Sequence, residues 1–341
     1  MRRSDAPPNA GRHQVKISSS VSHSSTRRTR TVRRGGIAGC SGIPSDANRR
    51  SFVNAIAQSI IDSKVSILLP SLARFNAGDA PELLDLSVSI GWQHTIEDWR
   101  TSLAVGMVFG HRDESGRIVS SAAIYPYGPQ LASIGLVIVR AEARRRGLAR
   151  AAVLECLRAT ENRPVMLVAT PEGGPLYESL GFVTVEHVVK LIAPAAPSLP
   201  AAGDCRGMTD HDLPSAIHCD ARAFGADRTL LLERRWKQAV GGAFLTQGGG
   251  FAWSVRQHDL LIAGPVVAPD AERAAQLVGH LVAGYSGRIR IDVPARQTDF
   301  ILRLAAAGFE TRELRPVMLR SAECLAGRRE QVFALVSLGF G

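Results

Sequence analysis

The chain has 341 residues, 45% of them apolar, and a formal charge of +10. That length exceeds one ordinary hydrophobic core, so two domains are expected, and no apolar run approaches the ~20 residues that cross a bilayer, so no membrane partner is expected. The charge does not mark the folded part as a nucleic-acid binder. Residues 1–50 hold eleven Arg and Lys against Asp5 and Asp46, which places +9 there and about +1 on the remainder.

Residues 1–50, rich in Ser, Arg, Gly and Pro, read as a disordered basic tail. An incidental extension is the favoured reading, ahead of a mitochondrial transit peptide or a nucleic-acid tether. The apolar spacing of Val53, Ile56, Ile60 and Ile61 predicts a short helix within 51–66. Ser71 to Phe75 suits a strand, and Asp79, Pro81 and Glu82 read as the N-cap, early proline and capping-box acid of a helix through Leu83, Leu84 and Leu86. Ala104 to His111 and Arg117 to Tyr125 form a hairpin, followed by a strand from Leu131 to Val139 and a helix opened by Gly147. Val165 to Ala169 is a buried strand, Pro175 to Leu180 a helix, and Phe182 to Val185 and Val188 to Leu191 two closing strands. Residues 193–203, with three prolines and no periodicity, read as a linker.

The chain beyond the linker repeats the chain before it. Asp212-Leu213-Pro214 answers Asp79-Ala80-Pro81, Val266 to Ala268 answers Val137 to Val139, Ile289 to Val293 answers the strand at Val165, and Gly308-Phe309 answers Gly181-Phe182. The expected architecture is α/β: tandem domains at 51–192 and 204–341, each a mixed, mostly antiparallel sheet flanked by helices. An offset of 128 sets Glu272 in place of Arg144 and Ala275 in place of Gly147, and an offset of 127 sets Leu304 in place of Tyr177. The second domain is therefore expected to keep the strands without the chemistry.

Cys40, Cys156, Cys205, Cys219 and Cys324 are scattered, with no C-x-x-C pair, and the histidines are isolated. A disulfide framework, a metal site and a Ser/His/Asp hydrolase are not expected, and a reducing, cytoplasmic setting is. Cys156 falls on the apolar face of its helix and reads as structural.

Chemistry is expected at two places. The strand ending at Val139 leads into the helix begun by Gly147 through Arg144, Arg145 and Arg146, leaving uncapped N–H groups and the positive end of a helix dipole beside several guanidinium groups. Such a site binds phosphate. Tyr177, four residues before Gly181-Phe182, is the second place.

Arg144-x-x-Gly147-x-Ala149, followed by Tyr177-x-x-x-Gly181-Phe182, resembles the GNAT superfamily of N-acetyltransferases in its tandem bacterial form, well over 65–192 and weakly over 203–341. The resemblance implies acetyl-CoA as co-substrate. Its pyrophosphate would lie at Arg144, Arg145, Arg146, Gly147, Leu148, Ala149 and Arg150, with its pantetheine arm along the backbone of Val137, Ile138 and Val139. Tyr177 would protonate the leaving thiolate. The acceptor implied is a primary amine attacking directly in a ternary complex, a small molecule first and a protein lysine as the alternative. The family builds its acceptor site where Gly91 to Trp99 lies here, so Trp92 and Trp99 are candidates to hold the amine and His94, Glu97 and Asp98 to take its proton, the alternatives being that the tryptophans anchor the core and Glu97-Asp98 caps a turn. In the second domain, Asp227 and Arg228 either pair locally or shape that acceptor cleft. A non-catalytic acyl-CoA sensor and a nucleic-acid-associated protein using the basic tail are the alternatives.

Overall fold

The computed structural model describes residues 71–195, 197–199 and 204–341. The basic tail and the helix expected within 51–66 lie outside them.

The first repeat runs β1 (Ser71–Phe75), α1 (Ala80–Val88), α2 (Ile96–Val105), β2 (Met107–Arg112), β3 (Ile118–Tyr127), β4 (Leu131–Val139), α3 (Leu148–Arg158), β5 (Val165–Val168), α4 (Gly174–Ser179) and β6 (Val183–Ala193). The second runs β7 (Cys205–Gly207), α5 (Leu213–Phe224), α6 (Thr229–Trp236), β8 (Ala239–Leu245), β9 (Phe251–Gln257), β10 (Leu260–Val267), α7 (Ala271–Val282), β11 (Arg288–Pro294), α8 (Thr298–Ala306) and β12 (Glu310–Arg320), with β13 (Val332–Ala334) added at its end. The order is the same, and so are small details. A short 3-10 turn precedes α1 and α5, closed by reciprocal side-chain and backbone bonds between Asn76 and Asp79 in one case and Thr209 and Asp212 in the other. This moves the expected capping box three residues back from Asp79 and Glu82. Glu82 instead leaves the helix to accept from the Ile118 N–H and the Arg112 guanidinium, tying α1 to the β2–β3 hairpin.

The strands form one sheet in the order β1-β2-β3-β4-β5-β12-β6-β11-β10-β9-β8-β7. Its centre exchanges the two closing strands. β12 of the second repeat pairs with β5 of the first, β6 of the first pairs with β11 of the second, and β6 and β12 pair with each other. The two short strands expected at Phe182 to Val185 and Val188 to Leu191 are thus one long strand, whose partner strands among the described residues both belong to the second repeat. Helices cover the sheet by ordinary amphipathic spacing: Leu148, Ala152, Val153 and Cys156 of α3 are buried, and the last three share a cluster with Ile134, Leu167, Tyr177 and Phe182. The linker region is tied down where it is described, with the Ser198 N–H donating to the Ala307 carbonyl at the end of α8.

Candidate active site

β4 and β5 run parallel, and their pairing stops at Ile134 opposite Leu167. β4 continues for five residues through a bulge, where the register against β3 shifts and Leu136 takes a left-handed φ of 52°. Beyond the bulge the Arg140 N–H donates to the Val119 carbonyl. The alternation of an antiparallel ladder then turns the peptide groups of Ile138 toward β3 and those of Val139 and Val137 away from it, into the gap that opens beside β5. The Arg144 guanidinium reaches the Val139 carbonyl, Nε to O 3.3 Å.

Arg140, which the sequence did not single out, fixes where this strand ends. Its side chain is buried, donates through Nε to the Ile118 carbonyl at 2.8 Å, and pairs with Asp85 of α1. A long cation at the close of an apolar strand was the available signal.

The chain next turns through Arg145 and Gly147, both with left-handed φ (60° and 78°), and Gly147 caps α3 without a side-chain bond. Among the described residues, the N–H groups of Arg145 through Arg150 have no backbone acceptor. Arg144, Arg145, Arg146, Gly147 and Arg150 are exposed, Ala149 is half-buried and Leu148 is buried as the first apolar contact of the helix. Nothing in the described chain lies within 4 Å of where a Gly147 Cβ would stand, so glycine is required here by its backbone angle rather than by crowding from the protein itself.

Tyr177 sits on α4 with 7% of its surface exposed, edge-to-face on Phe182 at 6.0 Å, in the same apolar cluster as Cys156 and with Val137 packed against it. Gly173 makes room for it: a Cβ there would stand 3.0 Å from the ring. Burial raises the Tyr177 phenol well above its ordinary value, and it raises the Cys156 thiol likewise, so both stay protonated.

The acceptor candidates fare unequally. Trp99 is fully buried and donates its indole N–H to Ser87, which makes it a core residue and corrects its expected part in holding an amine. Glu97 is exposed and pairs with Arg100. Asp98 closes the Thr95 cap of α2 and receives Arg235 (3.0 Å) and Gln257 (2.8 Å) from the second repeat. Burial opposes its charge, but Arg235 with the bonds from Thr95 and Gln257 holds the carboxyl below its usual range, making it a poor base. His94 lies edge-on between Trp92 (5.4 Å) and Trp99 (6.1 Å), with Nδ1 enclosed and unbonded. Burial lowers its pKa below 6.5 despite Asp98, and Arg290 and Arg235 act in the same direction, so the ring is neutral at pH 7.

The second repeat lacks these features for visible reasons. Its loop between strand and helix is five residues shorter: Val267 ends β10 and Asp270 already caps α7, accepting from the Arg273 N–H. Asp270 therefore stands where Gly147 stands, which corrects the pairing of Ala275 with Gly147 and of Glu272 with Arg144. A carboxylate now occupies the place an anion would take. Leu304 does replace Tyr177, since the Phe309 N–H bonds to its carbonyl as the Phe182 N–H bonds to that of Tyr177. The gap between β10 and β11 is filled. β13 pairs with β10 (Val266 with Ala334, Val267 with Val332), and the Leu335 N–H donates to the Asp292 carbonyl of β11.

Two family models, each described as an acetyltransferase (GNAT) domain, match the chain at residues 92–190 and 216–334. The chain is 34% identical over 270 residues to the uncharacterized N-acetyltransferase YitH of Bacillus subtilis (strain 168), covering 76% of this chain and 94% of that protein. A putative acetyltransferase from Pyrococcus horikoshii shares the fold with a TM-score of 0.68 at 16% identity, over 80% of this chain and 95% of that one. The tandem GNAT protein from the clavulanic acid biosynthesis pathway does so with a TM-score of 0.56 at 16% identity, over 75% of this chain and 100% of that one. The duplicated mixed sheet flanked by helices is thus the fold of these acetyltransferases. The chain belongs to the GNAT family of N-acetyltransferases and carries the domain twice.

Proposed function

We propose that the first repeat binds acetyl-CoA and transfers its acetyl group to a primary amine by direct attack, while the second repeat binds no cofactor and serves as scaffold. The observation that carries this reading is the contrast between the repeats. One has an open gap beside β5 and a run of unbonded N–H groups at Gly147; the other has its gap filled by β13 and its helix capped by Asp270.

In this reading the N–H groups of Arg145 to Arg150 hold the pyrophosphate, and Arg144, Arg145, Arg146 and Arg150 neutralise it with charge-assisted bonds about twice as strong as neutral ones. The pantetheine arm lies in the gap as an added strand on Val137 and Val139, which brings the thioester to the bulge. A backbone N–H there stabilises the oxyanion as the amine adds to the carbonyl carbon. The C–S bond then breaks, and Tyr177 gives its proton to the departing sulfur. Burial suits that role, because a phenol held above its ordinary value still carries its proton when the thiolate forms, and a thiolate in the same apolar surroundings is itself made more basic. The attacking amine must be neutral, which only about one alkylammonium in 2,500 is at pH 7, a deficit of roughly 4–5 kcal/mol. Of the groups weighed as bases, His94 has a neutral ring with Trp92 beside it; its Nδ1 is enclosed, so the proton would be taken at Nε2.

Thiol release from acetyl-CoA, followed across a panel of primary amines, tests the reaction. Tyr177→Phe is expected to lower kcat by about 100-fold, the lower end for loss of a general acid, with acetyl-CoA binding retained. Equal kcat in the two proteins removes Tyr177 from the mechanism, and binding without turnover of any amine identifies a sensor.

A further inference from the structure

The segment after β13 crosses from the second repeat to the first. Ser337–Gly341 folds into a turn in which the Phe340 and Gly341 N–H groups both donate to the Ser337 carbonyl, at 3.2 and 3.1 Å. The tip of the turn presses on β4 one residue before the bulge. The Gly339 carbonyl oxygen lies so close to Gly135 that a Cβ on Gly135 would stand 2.0 Å from it.

Both repeats fix this turn. From the first, Tyr127 at the end of β3 donates its hydroxyl to the Phe340 carbonyl at 2.6 Å, and the Phe340 ring packs on Tyr125 with centroids 4.9 Å apart. From the second, Arg228 donates Nη1 to the Gly341 carbonyl at 2.7 Å. Arg228 is itself immobilised, gripped by Asp220 through two bonds of 3.0 and 2.7 Å with both side chains buried, and stacked on Phe224 at 3.6 Å. Such a pair holds its guanidinium in one orientation, as a solvated arginine would not.

A turn that only latched the repeats together would be sealed throughout. This one is not. Leu136, Ile138, Phe340 and Gly341 are buried, whereas Gly135, Val137 and Val139 on β4 and Ser337, Leu338 and Gly339 on the turn stay partly exposed. The partly exposed tip of the turn therefore lies against Gly135 and Leu136, at the bulge where β4 parts from β5. A Cβ at Gly339 would meet only the Leu136 side chain at 3.8 Å and the Ser337 hydroxyl at 3.9 Å, ordinary contact distances, with no other described atom within 4 Å.

We propose that the turn Ser337–Gly341 forms a wall of the first repeat's acceptor site, with Gly339 setting the room left for the amine beside the bulge and Arg228 positioning the turn. The proposal rests on acetyl transfer at the first repeat and adds what bounds the acceptor there.

The test uses full-length Gly339→Ala, Gly339→Val and Gly339→Leu. Acetyl-CoA affinity is read by calorimetry, and initial rates are read with a series of n-alkylamines and with water as acceptor. A Cβ there meets only ordinary contacts, so thermal midpoints and acetyl-CoA Kd are expected to stay within about twofold affinity and ~2 °C of wild type, while the acceptor KM rises stepwise to about tenfold or more in the leucine variant, and hydrolysis falls in parallel. Arg228→Lys, which keeps a cation beside Asp220 but not the planar fork, is expected to raise acceptor KM with acetyl-CoA Kd unchanged, a split that simple destabilisation does not produce. Unchanged acceptor KM and hydrolysis in Gly339→Leu overturn the proposal. A wild-type protein that neither binds acetyl-CoA nor releases its thiol overturns acetyl transfer instead.

Discussion

His94 occupies a place where charge is costly, and that cost is measurable. Its folded-state pKa lies below 6.5 because burial disfavours the imidazolium, with Arg290 and Arg235 adding to the effect and Asp98 opposing it. A group whose folded value is depressed contributes stability above its unfolded value and loses that contribution as pH falls through the folded one. Thermal midpoints should therefore fall as the protein is acidified from about pH 6.5. His94→Gln should make that limb shallower, leaving the part due to His111, which burial also holds low, and Asp98 adds its own loss below about pH 4. A wild-type midpoint that is level from pH 7 to 5 would show that His94 protonates freely. The sequence offers His94 only as a candidate base. Only the neighbours Trp92, Trp99 and Arg235 show that its ring is enclosed and neutral.

The loop between β4 and α3 is the element that separates the repeats. Leu131–Val139 was legible because it is a largely apolar run ended by a charged residue, and the Gly147 helix start was legible because that strand precedes it and Tyr177 with Gly181-Phe182 follows. The matching loop of the second repeat was misread, because an offset carried forward from the strand cannot register five missing residues until the helix start is seen at Asp270. The capping box was misplaced for a similar reason: Asn76 to Asp79 and Asp79 to Glu82 both have a polar cap followed three residues later by an acid, and only hydrogen bonding distinguishes them. Gly147→Val places a branched side chain at a φ of 78°, where any Cβ costs about 1–2 kcal/mol. It also puts methyl groups over the unbonded N–H run, so acetyl-CoA affinity should fall by about tenfold or more, beyond what the loss in stability explains. Calorimetry at a temperature where the variant is folded checks this, and an unchanged Kd would place the pyrophosphate elsewhere.

At the scale of the molecule, duplication was readable and the way the copies join was not. Repeated motifs such as Gly181-Phe182 and Gly308-Phe309 are local, whereas the choice of β12 rather than β6 as the neighbour of β5 is a long-range pairing that alternation of side chains cannot encode. The exchange makes each repeat depend on the other for its central strand, and Arg235 and Gln257 add side-chain bonds from the second repeat to Asp98 of the first. With β13 the second repeat closes its own gap while the first keeps one open, so the proposed function gives the tandem chain one cofactor place where its duplication suggests two. Titration of the full-length chain with acetyl-CoA tests this most directly. One molecule bound per chain is the predicted result; two per chain, or no heat of binding at all, would contradict it.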